Sequence, residues 1–309
     1  MARAITFVES KLESDRFIAD QLLEMAIPHS GNSFRLGITG VPGVGKSTFI
    51  ESFGMLLVNS GRKIAILAVD PSSEISKGSI LGDKTRMEKL SVHSNVYIRP
   101  TPSGGHLGGV ARKTYETILL CEAAGFDFII VETVGVGQSE TTVQHLTDFF
   151  LLLMLAGGGD ELQGIKRGIM EMADAILITK ADGINLQKSS LAKVEFTRAI
   201  HYFPPHVSGW TPVVDVCSAV NGDGIESFFE TILKFETHQK ISGFFKEQRK
   251  QQNIFWFEDS LAYGMQQLIF GLPELISGFQ QLKQDVAENK ISPHTATSLI
   301  ISSIKSRLK

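Results

Sequence analysis

The fold of this chain is decided by one stretch of sequence, Gly40-Val41-Pro42-Gly43-Val44-Gly45-Lys46-Ser47-Thr48. Its spacing is that of a phosphate loop, in which four free positions separate the first glycine from Gly-Lys-Ser/Thr. The apolar run 34–39 before it predicts a buried strand, and residues 47–58 after it predict a helix. The glycines let backbone N–H groups surround a phosphate chain beside the positive end of the helix dipole. The whole stretch is therefore predicted to bind the phosphates of a nucleotide.

Two side chains of this stretch have specific predicted roles. Lys46 is expected to reach the β- and γ-phosphates, where its charge also serves catalysis. The hydroxyl of Ser47 is expected to ligate Mg²⁺. The alternative is a glycine-rich turn before an ordinary helix, but all fixed positions of the motif and both flanking elements favour the phosphate loop.

Composition bounds the remaining possibilities. The chain has 309 residues, of which 43% are hydrophobic, enough for one large α/β domain with appendages or for two small domains. Its net charge of −3 carries no basic bias, so no nucleic-acid partner is predicted. The longest apolar run, 149–156, is too short to span a bilayer, and residues 1–10 lack a signal-peptide layout. We expect a cytoplasmic protein without a membrane partner, in which Cys121 and Cys217 are small core residues.

Strands and helices alternate from residue 34 onward. The predicted strands cover residues 34–39, 63–69, 96–98, 127–131, 149–155, 174–179 and 212–217. Repeated alternation with helices predicts an α/β fold with a doubly wound, mostly parallel sheet. Ligands of such sheets bind beyond the C-terminal ends of the strands. The remaining motifs of this chain follow predicted strands and therefore fall at that edge.

Helical segments flank the alternating region on both sides. Residues 3–27 carry apolar side chains at helical spacing and predict one helix, within an N-terminal helical cap of residues 1–33. The phosphate-loop domain is predicted to span residues 34–238. From 239 to 309 the strand signal stops and helical spacing returns. This extension packs either on its own sheet or in a dimer, and the spacing alone favours neither.

Two acidic residues follow predicted strands. Asp70 comes directly after the second strand, where its carboxylate either serves Mg²⁺ and the attacking water or caps a turn. Glu132 follows the strand 127–131, and Gly135 comes three residues later. That layout is typical of a γ-phosphate sensor, in which the acid approaches Mg²⁺ and the glycine N–H contacts the γ-phosphate.

Two further loops predict recognition of guanine. After the strand 174–179, the carboxylate of Asp182 is expected to accept hydrogen bonds from guanine N1–H and the 2-amino group, which adenine lacks. The stem of Lys180 is expected to pack along the base, although a solvated Lys–Asp loop is the alternative. After the last strand, backbone N–H groups of the loop are expected to reach guanine O6. This loop consists of Ser218, Ala219 and Val220.

The chain resembles a known family, the methylmalonyl-CoA mutase-associated GTPases of the MeaB/ArgK type, which are related to the human methylmalonic aciduria type A protein. The resemblance runs from residue 2 to about the C-terminus. It rests on the stretches ARAITFVES at 2–10, GVPGVGKST at 40–48, AVDPSS at 68–73, LGDKTRM at 81–87, ETVGVGQSE at 132–140 and GDELQGIK at 159–166.

The resemblance implies a GTPase that binds GTP or GDP with Mg²⁺ and escorts an adenosylcobalamin-dependent acyl-CoA mutase, with methylmalonyl-CoA mutase the first candidate. Such proteins gate cofactor loading onto the mutase and protect it. The resemblance also implies a homodimer built through the C-terminal helices, which favours the dimer arm for residues 239–309. It places Asp70, Asp83 and Glu132 around Mg²⁺ and the switch regions. It implies a third switch, which couples nucleotide state to the mutase, at Asp160, Gln163 and Lys166.

The sequence departs from the family pattern at the base loop, where Thr179 replaces the usual asparagine. The missing amide is expected to loosen this loop, while Asp182 still discriminates guanine. The chain also begins almost at the family's first recognisable stretch, so we expect no organellar transit peptide. In small Ras-like switches a glutamine directly follows the motif glycine, whereas in this chain Val136 follows Gly135. We therefore expect slow intrinsic hydrolysis that the mutase accelerates.

Two other functions fit a phosphate loop. A metal-delivery GTPase of the same fold often carries His-rich or Cys-x-x-Cys segments, but the eight histidines here are scattered and the two cysteines are far apart. A small-molecule kinase or transport-linked ATPase would share the phosphate loop. Asp182 and the layout around Glu132 argue against the kinase or ATPase, since a kinase needs a second-substrate pocket and a closing lid.

Overall fold

A computed structural model of the chain describes residues 1–10, 12–69, 87–101, 107–133, 143–157, 167–270 and 273–307. The chain divides into two compact units, residues 1–255 and residues 256–309. The predicted boundaries after residues 33 and 238 stay predictions.

The first unit is built on a seven-stranded sheet. Its strands are β1 (Phe34–Gly40), β2 (Ile64–Val69), β3 (Val96–Thr101), β4 (Phe128–Thr133), β5 (Phe149–Leu155), β6 (Ala175–Thr179) and β7 (Val213–Val216). The strand order is β3-β2-β4-β1-β5-β6-β7, and every neighbouring pair is parallel. The predicted α/β fold with a parallel sheet is therefore confirmed. Because β1 lies between β4 and β5, the phosphate loop leaves the centre of the sheet.

Helices connect and flank these strands. They are α1 (Ala2–Glu9), α2 (Glu13–Ala26), α3 (Lys46–Asn59), α4 (Glu88–Ser91), α5 (Leu107–Ala123), α6 (Arg167–Met172), α7 (Leu186–Ile200), α8 (Ile225–Ser242), α9 (Phe244–Phe270), α10 (Pro273–Ala287) and α11 (Pro293–Arg307). In the second unit, α10 and α11 contact one another. None of the helices in the described ranges is long and apolar enough to cross a membrane.

The prediction of a single helix over residues 3–27 is wrong, because two helices occupy this segment. Ser10 has an extended backbone, and its hydroxyl accepts a hydrogen bond from the Leu12 N–H at 3.2 Å. Such a local bond from serine to the backbone competes with helical hydrogen bonding and breaks the segment. Both helices contact α5, as expected for a cap that packs on the main domain.

The core lies on both faces of the sheet, because helices cover both. Every residue of β1, β2 and β4 is buried, as expected for parallel strands enclosed between two helical layers. On one face, aromatic rings from α3, β5 and α8 meet edge to face, with Phe149 and Phe235 4.8 Å apart. Cys121 and Cys217 are free and buried, and burial raises the pKa of each thiol to about 12. Their predicted place in the core is confirmed.

Candidate nucleotide site

The phosphate loop has the backbone geometry that its glycines predict. Gly45 adopts a left-handed conformation, with φ of 101°, and directly precedes α3. Gly40 has φ of 155°, and a Cβ atom added there would lie 2.7 Å from the Leu153 carbonyl oxygen of β5. The chain can therefore pass this close to the neighbouring strand only because residue 40 has no side chain.

The Lys46 side chain lies over the loop that precedes it. Its Nζ donates to the carbonyl oxygens of Gly40, at 2.8 Å, and Val41, at 3.4 Å. Burial lowers the pKa of Lys46, whereas the carboxylate of Glu132 acts in the opposite direction. The structure thus brings together the predicted phosphate-binding lysine and the predicted switch acid.

Glu132 belongs to the sheet itself, since β4 runs on to Thr133 instead of ending at Val131 as predicted. It lies level with Ile38 of β1 and is only 7% exposed. The next residue, Thr133, donates its hydroxyl to the Thr39 hydroxyl at 2.9 Å, just before the phosphate loop. The carboxylate is thereby held on a rigid strand rather than on a loop.

The base loop is bonded to the phosphate loop at two points. The Lys180 Nζ donates to the Gly43 carbonyl at 2.8 Å, and Lys180 itself has an uncommon positive φ of 55°. The Thr179 hydroxyl lies 2.6 Å from the Val44 carbonyl and 3.2 Å from the Met154 carbonyl. Residue 179 therefore links the two loops despite the missing amide. The sequence did not predict this link, because a threonine at the end of a strand carries no distinctive spacing signal.

The predicted guanine reader and the last loop are also joined. Asp182 Oδ2 accepts a hydrogen bond from the Ser218 hydroxyl at 2.6 Å. The Ser218 N–H donates to the Asp223 carbonyl at 2.9 Å. The predicted donation to guanine O6 therefore rests on the N–H groups of Ala219 and Val220. The Ser218 hydroxyl has instead a role that sequence analysis missed, which is to orient the Asp182 carboxylate.

Several predicted site residues lie outside the described ranges. They are Asp70, Asp83, Gly135, Asp160, Gln163 and Lys166. Among the residues that are described, no group of three or more His, Cys, Asp or Glu side chains could hold a metal ion.

Comparison with known proteins finds relatives of this chain in both sequence and structure. Residues 1–270 match the sequence model of a family described as "Methylmalonyl Co-A mutase-associated GTPase MeaB". GTPase ArgK of Escherichia coli (strain K12) is 45% identical over 295 residues, which cover 96% of this chain and 89% of that protein. The mitochondrial methylmalonic aciduria type A homologue of Mus musculus is 41% identical over 317 residues, which cover 99% of this chain and 76% of that protein. The crystal structure of LAO/AO transport system kinase matches with a TM-score of 0.77 and 38% identity, over 98% of this chain and 92% of that one.

Proposed function

Because the chain belongs to the MeaB family of methylmalonyl-CoA mutase-associated GTPases, we propose that this GTPase is a chaperone of an adenosylcobalamin-dependent acyl-CoA mutase. The proposed partner is methylmalonyl-CoA mutase. The chain gates the loading of cofactor onto this mutase and protects the mutase. The observation that carries the proposal is the family match over residues 1–270, which includes every loop of the nucleotide site. The proposed switch to the mutase consists of Asp160, Gln163 and Lys166.

The geometry of the phosphate loop supports a simple account of hydrolysis. Phosphoryl transfer requires positioning and neutralisation of charge more than covalent chemistry. The N–H groups of the phosphate loop and the Lys46 ammonium bind the phosphate oxygens. Lys46 rests on loop carbonyls at 2.8 and 3.4 Å, so its charge is already held beside the place where the phosphates bind. Asp70 and Glu132 are the proposed acidic residues around the attacking water.

The described part of the site contributes two oxygen donors of the kind that a Mg²⁺ ion takes, the Ser47 hydroxyl and the Glu132 carboxylate. Hydroxyl and carboxylate oxygens are the ligands that Mg²⁺ takes, and the ion would neutralise charge on the β- and γ-phosphate oxygens. Ser47 lies in the first turn of α3, and the Glu132 carboxylate is close enough to the same loop to influence the pKa of Lys46. The proposed ligands are Ser47, Asp70, Asp83 and Glu132.

The mutase proposal is tested by GTP turnover with and without a purified partner. Intrinsic turnover is expected to be slow and to rise at least about tenfold with saturating methylmalonyl-CoA mutase, since a partner that orders the switches supplies missing transition-state contacts. An isobutyryl-CoA mutase assayed in parallel tests the choice of partner. The variant Lys46→Ala, mixed with the same mutase, controls for contaminating hydrolysis. A turnover that neither mutase changes would contradict the proposal.

The second unit supports the proposal of a homodimer through the C-terminal arm. Four apolar side chains at helical spacing on α9 are exposed by half or more: Phe257, Leu261, Met265 and Leu268. An uninterrupted apolar stripe of this kind is typical of a helix that packs against another chain. Leu261→Glu is expected to yield a monomer in size-exclusion chromatography with light scattering. Gln251→Glu, at an exposed polar position of the same helix outside the apolar stripe, should leave the mass unchanged. A monomeric wild type would contradict the proposal.

A further inference from the structure

Helix α9 contacts the short segment that leads into strand β5. Gln252 Nε2 donates to the Thr147 carbonyl at 2.7 Å, and Gln248 Nε2 donates to the same oxygen at 3.3 Å. One helical turn further, the ring of Phe255 stacks on His145 with a centroid distance of 3.9 Å. Residues 143–148 are thereby held by one face of the helix. Because β5 begins at Phe149, this contact lies at the edge of the sheet opposite the phosphate loop.

An ion-pair cluster fixes the same helix beside this segment. Arg249 donates from Nε and Nη2 to the Asp148 carboxylate, at 2.5 and 2.7 Å, and from Nη1 to Glu122 at 3.3 Å. Glu122 also accepts from the Arg35 guanidinium at 2.8 and 2.9 Å. The cluster contains two positive and two negative side chains, and each carboxylate accepts several hydrogen bonds. Each charged side chain of this cluster has a partner of opposite charge, and the cluster anchors α9 to the first residues of β1.

The glutamine contacts, in contrast, are incomplete. Within the described residues, the buried Oε1 atoms of Gln248 and Gln252 have no hydrogen-bond partner. A buried acceptor without a partner is destabilising, because it has lost its hydrogen bonds to water and gained none in return. Turning either amide by 180° would not help, because its oxygen would then face the Thr147 carbonyl. The contact is therefore fixed at Arg249 and leaves a buried acceptor without a partner on each of the two neighbouring glutamines.

A continuous, close-packed path joins this contact to the nucleotide loops. A Cβ atom added to Gly37 of β1 would lie 2.9 Å from Thr147 Oγ1 and 3.0 Å from Val143 Cγ1, so the segment touches the strand backbone. Strand β5 then runs beside β1, and its Leu153 and Met154 carbonyls reach Gly40 and Thr179 respectively. A displacement of β5 would therefore also displace both nucleotide loops, because both contacts are close-packed.

We propose that Gln248 and Gln252 are positioning residues that couple nucleotide state to helix α9. The 143–148 segment takes one arrangement against these amides with GTP bound and another with GDP bound. The helix itself continues beyond Phe255 to Phe270. This inference goes beyond the proposed function, since it does not depend on which partner responds.

The first experiment needs no substitution. Backbone amide hydrogen exchange of the full-length wild type is measured with GDP and with a non-hydrolysable GTP analogue. Exchange in residues 143–148 and 244–255 is expected to differ between the two states, because the segment 143–148 contacts helix α9 differently in each. Identical exchange of both segments in the two states would overturn the proposal.

The second experiment uses the double variant Gln248→Leu/Gln252→Leu. Its matched control is Gln251→Leu, a substitution of an exposed glutamine on the same helix that bonds only Glu247 within the described residues. Coupling is reciprocal, so the double variant should change the ratio of the dissociation constants for the GTP analogue and GDP by about fivefold. It should also remove the exchange difference, whereas the control keeps both. A merely structural role would weaken both nucleotides equally. An unchanged ratio with the exchange difference intact would likewise contradict the proposal.

Discussion

The Thr179 hydroxyl donates a hydrogen bond to the Val44 carbonyl across 2.6 Å and so ties the end of β6 to the phosphate loop. Both residues are buried, at 3% and 0% exposure. The loop that carries Asp182 therefore cannot move away from the phosphate loop without breaking a buried bond.

Replacing Thr179 with valine tests this link. Valine keeps the branched shape but removes the donor, which leaves the buried Val44 carbonyl unpaired at a cost of about 1–3 kcal/mol. We expect a lower melting temperature and roughly tenfold weaker binding of a fluorescent GDP analogue, since an order of magnitude corresponds to about 1.4 kcal/mol. Thr179→Ser keeps the hydroxyl and should bind within about twofold of the wild type, because it preserves the bond. Equal affinities for the valine and serine variants would show that the bond has no role.

The sheet and the order of its loops could be predicted from the sequence, because apolar runs and motif spacing are local signals. The ends of β4 and the break at Ser10 were missed, since single hydrogen bonds and strand pairing decide them. The hydrogen bond from Thr179 to the phosphate loop and the ion pairs of Arg249 could not be predicted from the sequence. The partners of Arg249 lie 101 and 127 positions away along the chain, and no periodic pattern connects them. The sequence therefore predicted which residues carry the chemistry. It did not predict the tertiary hydrogen bonds and ion pairs that hold them in place.

Substitutions of Asp182 and Ser218 distinguish recognition of the base from ordering of the loop that carries Asp182. Asp182→Asn is expected to shift preference from GTP towards xanthosine triphosphate, because the amide can donate where the carboxylate accepted. Ser218→Ala removes the 2.6 Å bond but keeps the carboxylate. It should weaken all guanine nucleotides by about fivefold, the loss of one hydrogen bond, without changing preference. Competition titrations with the three triphosphates of guanosine, xanthosine and adenosine measure both effects. An Asp182→Asn variant that keeps full GTP preference would rule Asp182 out as the base reader.

Lys46→Ala should abolish hydrolysis. The substitution removes the ammonium group that rests on the Gly40 carbonyl and is proposed to bind the β- and γ-phosphates. We expect turnover to fall at least about a hundredfold, the scale of losing one preorganised charge in a transition state, with weaker triphosphate binding. Lys234→Ala removes an exposed lysine from α8 and should be silent. Phosphate release under single-turnover conditions measures the rate, and a Lys46→Ala variant with wild-type turnover would reject the phosphate-loop assignment.

Arg249→Met tests the ion-pair cluster beneath β1 and β5. Burial alone raises the pKa of Glu122, but Arg35, Arg249 and the Ser33 hydroxyl outweigh it and hold that pKa at about 2. Removing Arg249 leaves two buried carboxylates with one arginine, which should cost about 3–5 kcal/mol of unfolding free energy. Arg198→Met, an exposed arginine of α7, should cost less than about 0.5 kcal/mol. Urea denaturation compares the two, and equal midpoints would show that the cluster contributes nothing to stability.

Asp174 gives the first unit a pH dependence of stability. Burial raises the pKa of its carboxyl from 3.8 to about 7, so the folded chain keeps a proton that the unfolded chain has released. Oδ2 accepts from the Phe150 N–H at 2.8 Å, whereas Oδ1 has no hydrogen-bond partner among the described residues. The stabilising contribution of the protonated group is therefore complete below pH 4. It is lost as pH rises towards 7, by up to about 1.4 kcal/mol per pH unit.

Asp174→Asn should remove this dependence, because the amide is neutral at every pH and its oxygen can still accept from Phe150. The variant is expected to match the wild type near pH 4, to become progressively more stable than it up to pH 7, and to keep a constant advantage above that. Asp20→Asn, an exposed carboxylate of α2 with 58% of its side chain accessible, is the control and should not follow this profile. Urea midpoints taken from pH 4 to 9 decide the matter. A wild type and an Asp174→Asn variant with parallel profiles would show that Asp174 is ionised in the folded chain throughout this range.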